Sequence, residues 1–173
     1  MNDIDLLTLF QWAGECESIV ELGCWRGRST HALLSGCKGK VYAVDHWLGS
    51  VNERSTDHRD ARTQDIYAQF MQNVGHFPNL EVCRLDHDVA WAMLPDVDMV
   101  FIDGEHSYDA VLRDASRWMG KAKRRLCGHD VTMVVVRDGL FMANIPFRVA
   151  RSGGIIWEAV GEWPWGGMGE VGR

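Results

Sequence analysis

Short apolar runs alternate along the chain with segments whose apolar residues recur at helical spacing. The apolar runs have the length and the β-branched content of buried strands, and they span residues 18–22, 40–45, 80–85, 97–103 and 125–129. Helical spacing is clear where Ile66, Phe70 and Val74 share one face, and Ser107 is suited to cap the helix that follows it.

The order of these segments predicts an α/β architecture. Repeated strand and helix units build parallel sheets with helices on both faces. Residues 133–144 are predicted as a further helix, and two short apolar runs, residues 147–151 and 155–159, flank Ser152-Gly153-Gly154, a hairpin signal. We therefore predict a Rossmann-like, doubly wound sheet of seven strands, mostly parallel, with helices on both faces and an antiparallel C-terminal hairpin.

A single domain is predicted for residues 1–173, since the chain contains no linker and no internal repeat. Residues 1–17 hold a predicted N-terminal helix with Asp3 as its cap. Residues 49–63 are polar and highly charged, and they are predicted to form a long loop, either a lid over the active site or a solvated insertion. Residues 163–173 are rich in glycine, and we expect them to be mobile.

The charge and cysteine content exclude several classes of protein. The 18 Lys and Arg residues against 24 Asp and Glu residues give a net charge of −6, with no basic stripe beyond residues 121–125, which argues against nucleic acid as the main partner. The sequence shows neither an apolar run of transmembrane length nor a secretory signal, so we expect a soluble cytoplasmic protein without membrane association. Five cysteines without a C-x-x-C pair argue against a disulfide framework and a zinc site, and predict reduced thiols, mostly in the core.

The turn after the first strand has the composition of a ligand-binding loop. It reads Glu21-Leu22-Gly23-Cys24-Trp25-Arg26-Gly27-Arg28-Ser29-Thr30. Its two glycines allow a sharp backbone turn before a helix over residues 29–35, whose first N–H groups are free. A dinucleotide-binding turn reads G-x-G-x-x-G, and the different spacing here disfavours a nicotinamide-dependent oxidoreductase. The E-x-G-x-x-x-G pattern resembles motif I of the class I S-adenosylmethionine-dependent methyltransferases.

That resemblance implies a set of cofactor contacts. Glu21 would meet the ammonium group of the methionine part, directly or through water, and Asp45, which closes the second strand, would accept hydrogen bonds from the ribose hydroxyls. Trp47 would stack on adenine or line the cleft, unless it packs in the core. Asp88 would contact the adenine amino group, unless it only caps a helix. The full implied cofactor set is Glu21, Gly23, Gly27, Ser29, Thr30, Asp45, His46, Trp47, Asp88 and Asp103.

Polar clusters follow the fourth and fifth strands. The first reads Asp103-Gly104-Glu105-His106 and the second Gly128-His129-Asp130. Both are expected at one cleft, because ligands of open α/β sheets bind outside the carboxyl ends of the strands. Together with the first turn and the second strand, these motifs resemble the methyltransferase-24 type, whose relatives include catechol O-methyltransferases, macrolide sugar O-methyltransferases and cephalosporin hydroxylase-like proteins. The resemblance covers about residues 18–160.

The metal-dependent relatives hold a divalent ion with acids at the ends of the fourth and fifth strands, which implies Asp103, His129 and Asp130 as ligands here. Oxygen ligands suit Mg²⁺, and a histidine shifts the preference toward Mn²⁺, Fe²⁺ or Zn²⁺. The implied catalytic residues are His106, as general base, and Asp103. The alternative is that His106 and His129 cap helices or bridge strand ends and bind no metal.

Two features depart from these relatives. A Pro-Gly-Gly turn usually precedes the fifth strand, and residues 121–125 stand in its place, which makes the register of His129 and Asp130 an open question. About 17 residues precede the first strand, where many relatives have a longer helical segment that closes the substrate site. Cover over the substrate is then expected from the polar loop, from a partner subunit, or from neither.

The leading hypothesis is an S-adenosylmethionine-dependent methyltransferase that methylates a hydroxyl of a small molecule or sugar, assisted by Mg²⁺ or Mn²⁺. Two alternatives stay open: a non-catalytic S-adenosylmethionine-binding module that acts through a partner, and a metal-dependent hydroxylase-like enzyme on the same scaffold. Trp163 and Trp165 are expected to pack either against the edge of the domain itself or against a second subunit in a homodimer.

Overall fold

One sheet of seven strands forms the centre of the computed structural model, which describes residues 1–50 and 56–161 and, for residues 56–59, the backbone alone. The strands are β1 (Ser18–Leu22), β2 (Lys40–Val44), β3 (Leu80–Cys83), β4 (Val97–Ile102), β5 (Ala122–Gly128), β6 (Phe147–Val149) and β7 (Trp157–Ala159). Their order in the sheet is β3-β2-β1-β4-β5-β7-β6. The first five strands are parallel, and β7 runs antiparallel to both β5 and β6. The predicted sheet and its C-terminal hairpin are confirmed.

Seven helices in the described part of the chain cover the two faces of the sheet. They are α1 (Asp3–Ala13), α2 (Arg28–Gly36), α3 (Thr56–Thr63), α4 (Ile66–Val74), α5 (His87–Met93), α6 (Tyr108–Trp118) and α7 (Val134–Met142). Helices α1, α2 and α4 contribute to one core cluster, and α5, α6 and α7 to the other. The predicted face of α4 is buried, and Ser107 caps α6 by accepting a hydrogen bond from the Ala110 N–H (3.3 Å). The prediction of helices on both faces is also confirmed.

Burial on both sides explains why the central strands are nearly all apolar. In β4 every residue except Asp98 is buried. Phe101 packs in the cluster on the α1 side and Val100 in the cluster on the α6 side. A parallel strand with helices on both faces has no solvated side, so it carries a continuous apolar run rather than an alternating one.

Two predictions about helices are wrong in detail. The cap of α1 is Asn2 and not Asp3, because the Asn2 side chain accepts the Asp5 N–H (2.9 Å) while the Asp5 carboxylate accepts the Asn2 N–H (3.3 Å), a capping box. Residues 49–63 are not one loop, since α3 occupies their second half. Helix α3 is polar except for Ala61, so it shows no apolar periodicity. Residues 51–55, within the predicted loop, and residues 163–173, the predicted mobile tail, lie outside the described residues.

Strand β5 begins at Ala122, inside the basic segment of residues 121–125 and earlier than predicted. Ala122 is buried beside Val97, and the pairing of β4 with β5 shifts register between Val97 and Met99. Arg125 points to carboxylates, with its Nε 2.9 Å from Glu158 Oε1. Strand β5 therefore ends at Gly128, beside Ile102, and the next residues emerge at the same edge of the sheet as the residues after β4.

The remaining expectations concern cysteines and membranes. All five cysteines are free thiols, and Cys83 alone among them is not buried, as expected for reduced core residues. Within the described ranges, no helix is both long and apolar enough to span a membrane.

Candidate active site

The turn between β1 and α2 depends on two glycines with left-handed backbone conformation. Gly23 has φ 84° and Gly27 has φ 85°, which side-chain-bearing residues adopt only with strain. A Cβ atom on Gly23 would lie 2.4 Å from the Asp103 carbonyl oxygen. The close approach brings the first turn against the end of β4, so the predicted cofactor turn and the predicted metal acid lie side by side.

Glu21 places a carboxylate in the interior just before this turn. It is fully buried, and neither carboxylate oxygen has a hydrogen-bond partner within the described part of the chain; the Thr30 hydroxyl is in the same condition. Burial raises the pKa of Glu21 to about 7, and the nearby hydroxyls of Ser29 and Thr30 oppose that rise only in part. Buried polar atoms nearly always have partners in native proteins, so this group fits a ligand with hydrogen-bond donors.

Asp45, at the end of β2, holds the first turn in shape. Its Oδ2 accepts the N–H groups of Cys24 and Trp25 (both 2.9 Å), and its Oδ1 accepts the N–H of Trp47 (2.7 Å). A carboxylate offers about four acceptor positions, so one is left for a ligand hydroxyl. The predicted ribose contact is therefore compatible with the geometry, but Asp45 also organises the turn itself.

The two residues after Asp45 have different surroundings. Trp47 is 3% exposed, lies with its ring 4.9 Å from Phe70, and donates its indole N–H to the Trp25 carbonyl (2.8 Å). This environment favours packing beneath the turn over stacking on adenine. His46 is more open, with 45% of its side chain exposed, and its Nδ1 accepts the Leu48 N–H (3.0 Å).

Asp88, predicted to contact adenine, is directed toward α6. Its Oδ1 lies 2.6 Å from Arg117 Nη1 and 3.6 Å from Arg113 Nε, and 44% of its side chain is exposed. These partners lie in the C-terminal half of α6, whereas the cleft lies at the N-terminal end of that helix. The structure does not bring Asp88 to the other predicted cofactor residues. The cap of α5 is Asp86.

His87 is the residue of this segment that faces the end of β4, and the sequence analysis missed it. Its ring lies so near Gly104 that a Cβ there would come within 2.7 Å of His87 Cε1. Its Nδ1 lies 2.8 Å from Oδ2 of Asp114, a buried residue of α6. Burial lowers the pKa of His87, but the hydrogen bond and charge of Asp114 outweigh burial and leave a raised pKa. The sequence gives little indication that His87 and Asp114 form a pair, because 27 residues separate them.

Four predicted residues converge at the ends of β4 and β5. His129 Nδ1 lies 3.0 Å from Asp130 Oδ2 and 3.6 Å from Asp103 Oδ1. His106 Nε2 lies 2.9 Å from Asp130 Oδ2 and 3.9 Å from Asp103 Oδ1. One ligand atom from each of Asp103, His129 and Asp130 falls within 4.8 Å of the others, a spacing that a metal ion can bridge. The two carboxylates and an imidazole match the donors that Mn²⁺ accepts.

The electrostatics of this cluster follow from burial and from like charges at close range. Burial raises the pKa of Asp103 to about 7, the charge of Asp130 adds to the rise, and the facing His129 opposes it. Burial also raises the pKa of Asp130, but hydrogen bonds from His106 and His129 outweigh burial and leave that pKa well below its usual range. A cation between the two carboxylates would relieve their repulsion, so the donor set fits a divalent ion.

Sequence and structure comparisons identify the family and the fold. A family model described as a methyltransferase domain, the methyltransferase-24 family, matches residues 20–130. This match covers more than half of the chain, which therefore belongs to that family of class I S-adenosylmethionine-dependent methyltransferases. No curated protein is significantly similar in sequence.

Solved structures share the fold. The cofactor-bound Rv0187 protein from MTB is 17% identical with a TM-score of 0.62, and the alignment covers 92% of this chain and 80% of that one. An O-methyltransferase from Bacillus cereus in complex with SAH is 17% identical with a TM-score of 0.61, covering 93% and 82%. A precorrin-6y C5,15-methyltransferase from Geobacter metallireducens is 14% identical with a TM-score of 0.62, covering 93% and 88%. At these identities the likeness concerns the fold, and the methyl acceptor has to be argued from the site.

Proposed function

We propose that the protein transfers the methyl group of S-adenosylmethionine to a hydroxyl oxygen of a small molecule or sugar, with a divalent cation held by Asp103, His129 and Asp130. The observation that carries the proposal is the convergence of these three side chains with His106 next to the glycine turn. The O-methyltransferase from Bacillus cereus, which has the same fold and was solved with SAH, supports this acceptor class.

The cofactor side of the proposal rests on unpartnered buried groups. Glu21 and Thr30 offer acceptors without partners among the described residues, as the ammonium group of the methionine part requires. Because Glu21 is fully buried, the ammonium reaches its carboxylate through a water molecule or after a local shift. Gly23 and Gly27 let the backbone adopt the left-handed conformation of this turn, and the remaining acceptor position of Asp45 suits a ribose hydroxyl.

The metal side rests on the donor set. Two carboxylate oxygens with one imidazole nitrogen suit Mn²⁺ better than Mg²⁺, which prefers oxygen alone. A divalent ion bound here would act as a Lewis acid that lowers the pKa of an acceptor hydroxyl and orients its oxygen. Asp130 adopts φ 60°, a left-handed conformation that Asp tolerates better than most residues, and this backbone turns its carboxylate toward His106 and His129.

His106 is the proposed general base. Its Nε2 lies 2.9 Å from Asp130 Oδ2 and donates a hydrogen bond to that carboxylate, so Nδ1 is the nitrogen that would take the proton of the acceptor hydroxyl, and the carboxylate would stabilise the imidazolium. With the proton removed, the oxygen attacks the sulfonium methyl in line, so that the O–C bond forms as the S–C bond breaks and S-adenosylhomocysteine leaves. The rate depends mostly on how well the residues position the two reactants.

The experiment is transfer of labelled methyl from S-adenosylmethionine to a panel of hydroxyl-bearing small molecules and sugars, with Mn²⁺, with Mg²⁺ and with a chelator. We expect transfer that the chelator abolishes and that Asp130→Asn lowers, while the control Asp109→Asn, an exposed acid of α6, keeps wild-type activity. Tight S-adenosylmethionine binding without transfer to any acceptor would contradict the proposal and favour the non-catalytic binding module. Transfer unaffected by the chelator would contradict its metal part.

A further inference from the structure

A carboxylate of the N-terminal helix, that of Asp5, contacts the candidate metal cluster through His129. Asp5 lies in the first turn of α1 and is 1% exposed, whereas 99% of the Asp3 side chain in the same turn is exposed. The Asp5 Oδ1 accepts the Ile155 N–H (2.9 Å), and its Oδ2 lies 3.3 Å from His129 Nε2. A carboxylate is costly to bury, so a helix cap alone does not explain this placement.

The ring of His129 is held between two acidic sides. Its Nε2 faces Asp5, and its Nδ1 faces Asp130 (3.0 Å) and, at 3.6 Å, Asp103. A neutral imidazole carries one proton, and a metal ligand needs the lone pair on the nitrogen that faces the metal. An ionised carboxylate only accepts hydrogen bonds, so Asp130 favours a proton on Nδ1 in the metal-free protein, whereas Asp5 favours a proton on Nε2. A cation at Nδ1 would leave only the tautomer that Asp5 stabilises.

We propose that Asp5 is a positioning residue for the metal centre: it fixes His129 in the Nε2–H tautomer and in the orientation that presents Nδ1 to the cation. This inference rests on the proposed metal site and adds a residue to it. Carboxylates that hold the second nitrogen of a ligating histidine typically change metal affinity 10-fold to 100-fold when they are removed. Helix α1 would then be a part of the active site as well as of the core.

The Asp5→Asn variant separates this role from helix capping. An asparagine at this position keeps the size of the side chain, and Asn2 Oδ1 can still accept the backbone N–H of residue 5. Either orientation of its amide, however, turns the NH₂ group toward a backbone N–H, that of Ile155 or that of Asn2, and the charge that orients His129 is lost. Asp3→Asn is the matched control, since it removes an exposed acid from the same helical turn.

Two measurements test the proposal on the full chain. The first is calorimetric titration of the metal-free protein with Mn²⁺, where we expect Asp5→Asn to weaken binding by roughly 10-fold to 100-fold and Asp3→Asn to leave it unchanged. The second is the ¹⁵N spectrum of the histidine rings of metal-free Asp130→Asn, at a pH above the pKa of His129, where the competing carboxylate at Nδ1 is absent and we expect the Nε2–H tautomer.

The outcomes distinguish this inference from the proposed function. Equal Mn²⁺ affinity in wild type and Asp5→Asn, or an Nδ1–H tautomer in Asp130→Asn, would overturn the role of Asp5. If the wild type binds no Mn²⁺, the proposed metal site fails, and the tautomer of His129 in Asp130→Asn then decides by itself whether Asp5 orients the ring. That spectrum needs no change at Asp5, so poor folding of Asp5→Asn leaves the test intact.

Discussion

Gly23 lies against the main chain of Asp103, so close that a Cβ on Gly23 would meet the Asp103 carbonyl oxygen at 2.4 Å. The contact joins the turn after β1 to the end of β4, and the backbone bond from the Asp103 N–H to the Leu22 carbonyl (2.8 Å) reinforces it. The predicted cofactor loop and the predicted metal acid are therefore in direct contact through their main chains. Local backbone geometry couples the two halves of the site.

Gly23→Ala tests this coupling. The substitution adds a methyl group where φ is 84° and where backbone atoms leave no room, so we expect a loss of about 2 kcal/mol or more in the free energy of unfolding and weaker cofactor binding. Gly120→Ala is the control, since no atom lies within 4 Å of the added methyl, and it should change stability by no more than about 0.5 kcal/mol. Chemical denaturation of both variants gives the comparison, and equal stability would refute the steric account.

Glu21→Gln tests whether burial of the Glu21 carboxylate lowers the free energy of unfolding. Because burial raises its pKa from 4.5 to about 7, the folded state binds a proton more tightly than the unfolded state. Wild-type stability should therefore fall relative to the Gln variant as pH rises from 4.5 to about 7, with a difference of roughly 3 kcal/mol above that range. The control is Glu17→Gln, an exposed glutamate one residue before the strand, which should show no such pH dependence.

Denaturant titrations at pH 5 and pH 8 measure both Glu21 and Glu17 variants. A constant difference between wild type and Glu21→Gln at the two pH values would show that Glu21 is not protonated more readily in the folded state.

The His87 and Asp114 pair gives a pH dependence with a limit on each side. The raised pKa of His87 means that its contribution is fully present below pH 6.5 and is lost as pH rises through the folded-state pKa. The lowered pKa of Asp114 means that its contribution is present above pH 3.8 and is lost as pH falls through the folded-state value. Asp114→Asn should therefore cost most between these limits, about 3 kcal/mol, and less at pH 9.

The control for Asp114→Asn is Asp109→Asn, an exposed acid on the same helix. Thermal unfolding at pH 6 and pH 9 compares the two variants. A loss of stability in Asp114→Asn that is the same at both pH values would mean that packing, and not the ion pair, accounts for the effect.

The sequence predicted the sheet because parallel strands with helices on both faces carry unbroken apolar runs, as β4 does. It missed α3 because that helix has almost no apolar residues, and hydrophobic spacing cannot reveal a helix held by polar contacts such as the Arg26 to Asp60 ion pair (2.7 Å). It missed α5 because seven residues are too few to show a period.

Some site residues could be predicted from the strand pattern, and others depend on contacts between distant parts of the chain. Asp103, His129 and Asp130 were predictable because the residue after a parallel strand always reaches the same edge of the sheet. Asp5 was not, because its partner is 124 positions away and a carboxylate near a helix start is ordinarily exposed. Asp88 and His87 are neighbours on α5, but the Asp88 side chain points toward α6 and the His87 side chain toward the end of β4. The local sequence does not show which of the two faces the cleft.

His106→Asn distinguishes a general base from a metal ligand. If His106 acts as the base, its loss should lower kcat by roughly 10²-fold to 10⁴-fold and leave Mn²⁺ affinity nearly unchanged. His76→Asn, at an exposed histidine near the end of α4, should change neither quantity. Calorimetry with Mn²⁺ alone and steady-state kinetics separate the two effects. A large loss of Mn²⁺ affinity in His106→Asn would reassign this residue to the metal.

The most direct test of the whole account is a pair of calorimetric titrations, one with S-adenosylhomocysteine and one with Mn²⁺, on the wild type, Glu21→Gln and Asp130→Asn. The account predicts that the wild type binds both ligands, that Glu21→Gln weakens S-adenosylhomocysteine binding about 10-fold or more through the lost charge-assisted contact and keeps Mn²⁺, and that Asp130→Asn does the reverse. Asparagine tolerates the φ of 60° at position 130, so that variant should fold. A wild-type protein that binds neither ligand would contradict the account.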